Sequence, residues 1–217
     1  MDNRLKTLFS LAGEGETFCD IGCDHGFVSL EALKSGKFKR VIISDISKKS
    51  LSKAEKLLSP YGDKVSSFVA DGFSGINEEI SVGFIAGMGG EEITNILLNA
   101  KRLPPKLVLS PQGRSEKVRK TLLSLGYDIK RDFTLFSAGK YYDAIMATKS
   151  EIKLEYSNLE LKYGKENLTV KPKDFIAKLN KDLEFKSSLL LRELNEKDKK
   201  EVLLEIEEIK GILNENT

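Results

Sequence analysis

The sequence predicts an α/β fold, a mostly parallel sheet covered by helices and followed by a small helical unit. Three observations predict it. Short β-branched runs alternate with helix-length stretches through the first 150 residues. These runs end on acids and glycines. From about Lys173 onward, apolar residues recur at helical spacing instead.

The strands come first. Thr17–Ile21, Val41–Asp45, Val65–Ala70, Val82–Ala86 and Leu107–Ser110 are apolar or β-branched almost throughout. Such runs suit strands covered on both faces, as in a parallel sheet. Helix-like pieces follow four of them: Phe27–Ser35, Ser47–Leu58, Glu91–Ala100 and Ser115–Leu125. Ser47 suits an N-cap, and Gly36 and Gly126 sit where helices stop. The alternation implies right-handed crossovers. After Gly126 the pattern changes to two strands, Tyr127–Leu135 and Tyr142–Thr148, joined through the glycine-containing turn 136–141. The sheet is therefore expected to end in an antiparallel element.

Residues 151–170 are mixed, with a break at Tyr163-Gly164. Beyond them Phe175, Leu179, Leu183, Leu190 and Leu194 form one stripe, and Val202, Ile206, Ile209 and Leu213 a second. A turn at Asn195–Asp198 would fold the two helices into an αα-hairpin. The expected division is 1–150 for the sheet domain and 151–217 for the helical one.

Composition narrows the function classes. Of 217 residues, 40% are hydrophobic and 31% charged, which excludes global disorder. No apolar run is long enough for a bilayer, and the N-terminus lacks the form of a secretory signal. A cytoplasmic location without membrane attachment is the expectation. Cys19 and Cys23 with the single histidine, His25, make no zinc set, so no metal is expected and both thiols should be free. The net charge is only +2, yet residues 101–140 hold ten basic and three acidic side chains, an excess that attracts phosphates. Lys101, Arg102, Lys106, Arg114, Arg119 and Lys120 are the candidate contacts.

The chemistry concentrates at strand ends. Asp20-Ile21-Gly22-Cys23-Asp24-His25-Gly26 directly follows the first strand. Glycines there permit a tight turn and close approach of backbone to ligand. The motif lacks the G-K-[ST] of a phosphate loop and the spacing of G-x-G-x-x-G. Asp20 and Asp24 instead suit a ligand with a cationic, zwitterionic end, such as S-adenosyl-L-methionine. Asp45, 19 residues after Gly26, matches the ribose-binding acid of nucleoside folds. That spacing serves NAD and S-adenosyl-L-methionine alike. Asp71-Gly72, after the third strand, can meet an adenine edge. Gly87-Met88-Gly89-Gly90, after the fourth, leaves room for a flat substrate. No Asp-Pro-Pro-Tyr loop stands there to hold an exocyclic amine, which favours attack by a ring nitrogen such as N1, whose lone pair is already free.

Together DIGCDHG, ISDIS, ADGF, IAGMGG and the later LVLSPQG, GY and GKYY resemble the bacterial tRNA (adenine-22-N1)-methyltransferases, over about residues 4–148. The resemblance implies a Rossmann-like class I methyltransferase sheet with a small coiled-coil-like helical domain. It implies S-adenosyl-L-methionine as cofactor and tRNA as partner. Asp20, Gly22, Asp24, His25 and Gly26 would surround the methionine end, Asp45 and Ile46 the ribose and adenine, and Asp71 and Gly72 the adenine edge. Gly87, Met88 and Gly89 would line the passage to the base, while Arg4, Gln112 and Arg114 would meet substrate. Asp24, His25 and Met88 are the residues expected nearest the chemistry. Ser110-Pro111-Gln112 departs from the family's Gln-Pro-Asn. Three rival readings are a methyltransferase of a small molecule or protein, an NAD-dependent oxidoreductase, and a non-catalytic RNA-binding module. A monomer is expected.

Overall fold

The computed structural model describes residues 1–152 and 154–214. A single sheet of seven strands forms its centre, in the order β3-β2-β1-β4-β5-β7-β6. The strands are β1 (Gly15–Ile21), β2 (Phe38–Asp45), β3 (Val65–Val69), β4 (Val82–Ala86), β5 (Lys106–Ser110), β6 (Tyr127–Ser137) and β7 (Lys140–Lys149). The first five run parallel, and β7 runs antiparallel to both β5 and β6.

Helices cover both faces. On one face α1 (Asn3–Ala12), α2 (Phe27–Lys34) and α3 (Lys48–Leu58) bury Leu8, Phe9, Val28, Ala32, Leu51 and Ala54 against Phe18, Val41 and Phe84. On the other, α4 (Gly90–Asn99) and α5 (Ser115–Ser124) bury Ile93, Ile96, Val118 and Leu122 against Cys19, Ile85, Leu107 and Ile145. The sequence left α1 unassigned. Its signal is Leu5, Leu8, Phe9 and Ala12 on one stripe, with the Asp2 carboxylate accepting from Leu5 N at 2.8 Å as N-cap.

The hairpin turn is tighter than the six residues expected. β6 and β7 continue to Ser137 and Lys140, leaving Ala138 and Gly139 with φ of 48° and 79°. Two positive φ values are what a type I′ hairpin turn requires.

The C-terminal segment forms α6 (Asn158–Tyr163), α7 (Lys165–Val170), α8 (Lys173–Leu189) and α9 (Glu196–Asn214). Tyr163, Phe175, Leu179, Ile209 and Ile212 make a separate small core. Two expected details are corrected. Leu190 and Leu194 lie beyond the end of α8, and the turn falls before Glu196, because Asn195 caps α9 by accepting from Asp198 N at 2.9 Å. The last stripe buries Ile206, Ile209 and Ile212, with Leu213 half-buried beside them.

This segment docks on the outer edge of β6. Glu166, Asn167 and Asp174 accept hydrogen bonds from the backbone N–H of Asp132, Thr134 and Phe136 at 2.7, 2.9 and 2.8 Å. Those donors belong to an edge strand and would otherwise be open to another strand. Arg119 of α5 completes the joint. It is fully buried, pairs with Asp132 through two bonds of 2.8 Å, and donates to the carbonyls of Leu161 and Lys162.

Candidate functional site

A cleft of about 430 Å³ opens at the carboxyl ends of β1 to β4, the end of an open α/β sheet where ligands bind. Its floor is the turn after β1. Gly22 N and Cys23 N both donate to Ser44 O, at 2.7 and 3.2 Å, which ties the turn to β2. Gly22 has φ of 68°, and a Cβ there would collide with Met88 Cε. Only glycine lets Met88 fold over this turn.

Asp20 lies under the floor. It is 4% exposed and accepts from Ser29 Oγ at 2.7 Å. Burial pushes its carboxyl up to about 6, partly opposed by the Ser29 hydrogen bond. Asp45 is fixed at both oxygens, accepting from Ser47 N at 2.8 Å and Asp24 N at 3.3 Å. One carboxylate thus joins the β1 turn to the end of β2. Ile46, 70% exposed, offers the adjoining apolar surface. Asp71 stands exposed beside Gly72, which seats on Ile96 of α4. Asp20, Asp45 and Asp71 therefore share one cavity.

The far wall is built from two loops bonded to each other. Gln112 N donates to Met88 O at 2.8 Å, and Gly90 N to Gly113 O at 3.2 Å. Arg4 closes the mouth from α1. Its guanidinium lies 4.6 Å from the Tyr142 ring centre, and its Nη1 is buried without a hydrogen-bond partner. A buried cationic donor left open asks for an acceptor. Four groups thus converge: three carboxylates and one guanidinium, suited to a ligand bearing hydroxyls, amines and a carboxylate.

The expected residues Arg4, Asp20, Gly22, Asp24, His25, Asp45, Ile46, Asp71, Gly72, Gly87 and Met88 all line this cleft. Gly26 does not. A Cβ there would sit 2.9 Å from Ala54 Cβ, so this glycine serves the contact between α2 and α3. Gly89 caps α4, accepting from Ile93 N, and Gln112 and Arg114 are exposed on the adjacent loop. His25 is exposed with Nε2 3.6 Å from Asp24 Oδ2. The sequence reading missed Phe27 and Glu92, which also line the cleft. Each immediately follows a glycine motif by one or two residues, and that was the available signal. Both cysteines are free, and burial holds their thiols up in the protonated form.

The basic stretch divides. Arg119 is fully buried against Asp132, so it cannot contact phosphate. Lys101, Arg102 and Lys106 precede or open β5 and stand at the opposite end of the sheet from the cleft, with Arg102 paired to Glu79 at 3.1 Å. Spacing in sequence gave no sense of which end of a strand each one occupied. Arg114 lies on the cleft side, and Lys120 is exposed on α5.

The profile of the Methyltransferase domain family matches residues 1–145. A candidate tRNA methyltransferase of Mycoplasma pneumoniae is 29% identical over 161 residues, covering 72% of this chain and 75% of that one. The tRNA (adenine(22)-N(1))-methyltransferase of Bacillus subtilis is 27% identical over 170 residues, covering 76% and 71%. Among solved structures, a candidate tRNA (m1A22) methyltransferase of Streptococcus pneumoniae superposes with a TM-score of 0.91 at 26% identity, over 99% of this chain and 100% of that one. The same protein solved with S-adenosyl-L-methionine gives 0.88 at 24% over the same shares.

Proposed function

The chain belongs to the methyltransferase-domain family, and from that premise we propose that it methylates N1 of adenine 22 in tRNA, using S-adenosyl-L-methionine. The observation that carries this reading is the convergence of Asp20, Asp45, Asp71 and the unpartnered Arg4 Nη1 on one cleft beside the Gly87-Met88 gap.

The residues fit the cofactor. Arg4 offers its open donor to the cofactor's carboxylate, and Asp20 and Asp24 face the amino end. Asp45, already oriented by two backbone N–H groups, accepts from ribose hydroxyls. Asp71 takes the adenine amine, with Ile46 and Ile96 supplying apolar contact. When bound, S-adenosyl-L-methionine supplies an electrophilic methyl on a cationic sulfur. The protein then has to orient adenine N1 and keep water out. Met88, folded over Gly22, walls the reacting face. N1 of neutral adenine needs no base, so His25 has a positioning role beside Asp24. Asp24 favours the positive charge that develops on the ring.

Residues 1–150 form the catalytic unit and 151–217 a C-terminal helical unit, a division supported by the separate C-terminal core. The enzyme works as a cytoplasmic monomer. No helix among the described residues is long and apolar enough to cross a membrane, and the β6 edge is already covered. The test is incubation with unmodified tRNA and methyl-labelled cofactor, followed by nucleoside mapping. Label at N1 of adenine 22 is expected. Label appearing without RNA, or elsewhere in it, would overturn the assignment.

A further inference from the structure

We propose that the tip of the β6–β7 hairpin is a stacking platform for an unpaired base of the tRNA, formed by Phe136 and Tyr141 and flanked by Lys140 and Lys181. The inference rests on the tRNA reading above.

Register places the tip. β7 pairs with β5 from Lys106↔Thr148 to Leu109↔Ile145, so residues 140–144 run past the carboxyl end of β5. That is the end at which the cleft opens. Two to three strand spacings separate β4 from the hairpin, roughly 10–15 Å. The wall between them is continuous: Gln112 is bonded to Met88, and Arg4, in the cleft mouth, stacks on Tyr142.

Tyr141 and Tyr142 point to opposite faces. Tyr142, opposite Leu135, faces α1 and the core. Tyr141, opposite Phe136, faces the side where α8 docks. Phe136 is 50% exposed and its ring centre lies 4.9 Å from that of Tyr141. Tyr141 is half-buried beside it, so the pair stands partly open at the hairpin tip and offers a π-face that any base can use.

Charge selects the occupant. Asp174 is spent on Phe136 N, and Asp143 on Thr134 Oγ1 and the buried Arg119. Lys140 is exposed, Lys181 Nζ lies 5.9 Å from the Tyr141 ring centre, and neither forms an ion pair among the described residues. Aromatic faces bordered by unpaired cations suit single-stranded nucleic acid. Methylation at N1 gives such a surface a use, because N1 is on the pairing edge and a target that leaves its stack exposes its neighbours.

The chain has no tryptophan, so Phe136→Trp in the full-length protein gives a single reporter. We expect its fluorescence to be quenched on titration with an unmodified tRNA transcript. Phe136→Ala and Tyr141→Ala should each weaken tRNA binding by roughly tenfold, with the salt slope and cofactor affinity unchanged, while Tyr141→Phe stays within twofold. Lys140→Ala and Lys181→Ala should instead lower the salt slope. Emission unaltered at saturating tRNA overturns the proposal, as does concentration-dependent dimerisation through the patch without quenching. Wild-type protein that methylates tRNA while both alanine variants bind normally sinks the platform alone. Wild-type protein that neither binds nor methylates tRNA sinks the functional reading itself.

Discussion

Burial holds Asp20 at odds with its own charge. Its carboxyl rises from 3.8 to about 6 in the folded protein, so between about pH 4 and pH 6 the native state binds more protons than the unfolded chain. The stability this proton linkage contributes is present below the unfolded value and lost as pH rises through about 6. Asp20→Asn keeps an acceptor for Ser29 and removes the charge. We expect it to be more stable than wild type above pH 6, on the order of 2–3 kcal/mol, and to show no such advantage near pH 4. Urea unfolding at both pH values measures this; equal gains at both would reject the assignment. Asp45 is oriented by two backbone N–H groups, one at each oxygen. Asp45→Ala should weaken S-adenosyl-L-methionine binding by about 1–3 kcal/mol, read by calorimetry, and unchanged affinity would remove it from the site. Both acids were legible in sequence as strand-end carboxylates. That one is buried and desolvated while the other is pre-oriented by backbone N–H groups was not legible, since burial depends on how distant segments cover the turn.

Elements meet at glycines, and two of these glycines look alike in sequence but work differently. Gly22 admits a neighbour's side chain, whereas Gly90 admits backbone: a Cβ on Gly90 would sit 2.5 Å from Gly113 O and 2.6 Å from Arg114 O. Backbone cannot swing aside as Met88 can. Gly90→Ala should therefore part the β4–α4 loop from the β5–α5 loop and destabilise the protein by about 1–3 kcal/mol. Chemical denaturation would show it, and a midpoint equal to wild type would contradict the close approach. The loop pairing also explains why Gln112 and Arg114 stand beside the cleft instead of in it. Sequence placed them after β5 correctly, but only the bond from Gln112 N to Met88 O fixes how far that loop reaches. The missed helix α1 has a similar cause. Ten residues are too few to be helical alone, and α1 is stable because its stripe lies on the sheet.

At the scale of the molecule, Arg119 joins three parts that are far apart in the chain. It spans α5, the β6–β7 hairpin and the carbonyls of α6, and burial is offset by Asp132 and Asp143. Arg119→Ala should cost about 3–5 kcal/mol, because Asp132 remains buried without a partner. A stability loss under 1 kcal/mol in urea would show that the network is relaxed. The C-terminal segment also shields the β6 edge. A chain ending at residue 150 should self-associate, the freed N–H groups of Asp132, Thr134 and Phe136 pairing with another strand. Light scattering would detect this, and a monodisperse truncated monomer would refute it.

The sequence alone determined the succession of strands and α-helices from β1 to β7, the antiparallel ending and the set of strand-tip acids. These follow from local periodicity and from turn chemistry confined to a few neighbouring residues. Only the tertiary structure decided that Arg119 is a buried joint, that Lys101, Arg102 and Lys106 stand at the wrong end of the sheet, and that Gly26 serves two helices. Burial, strand direction and the approach of distant chain segments are properties of how elements are assembled, and no window of sequence contains them.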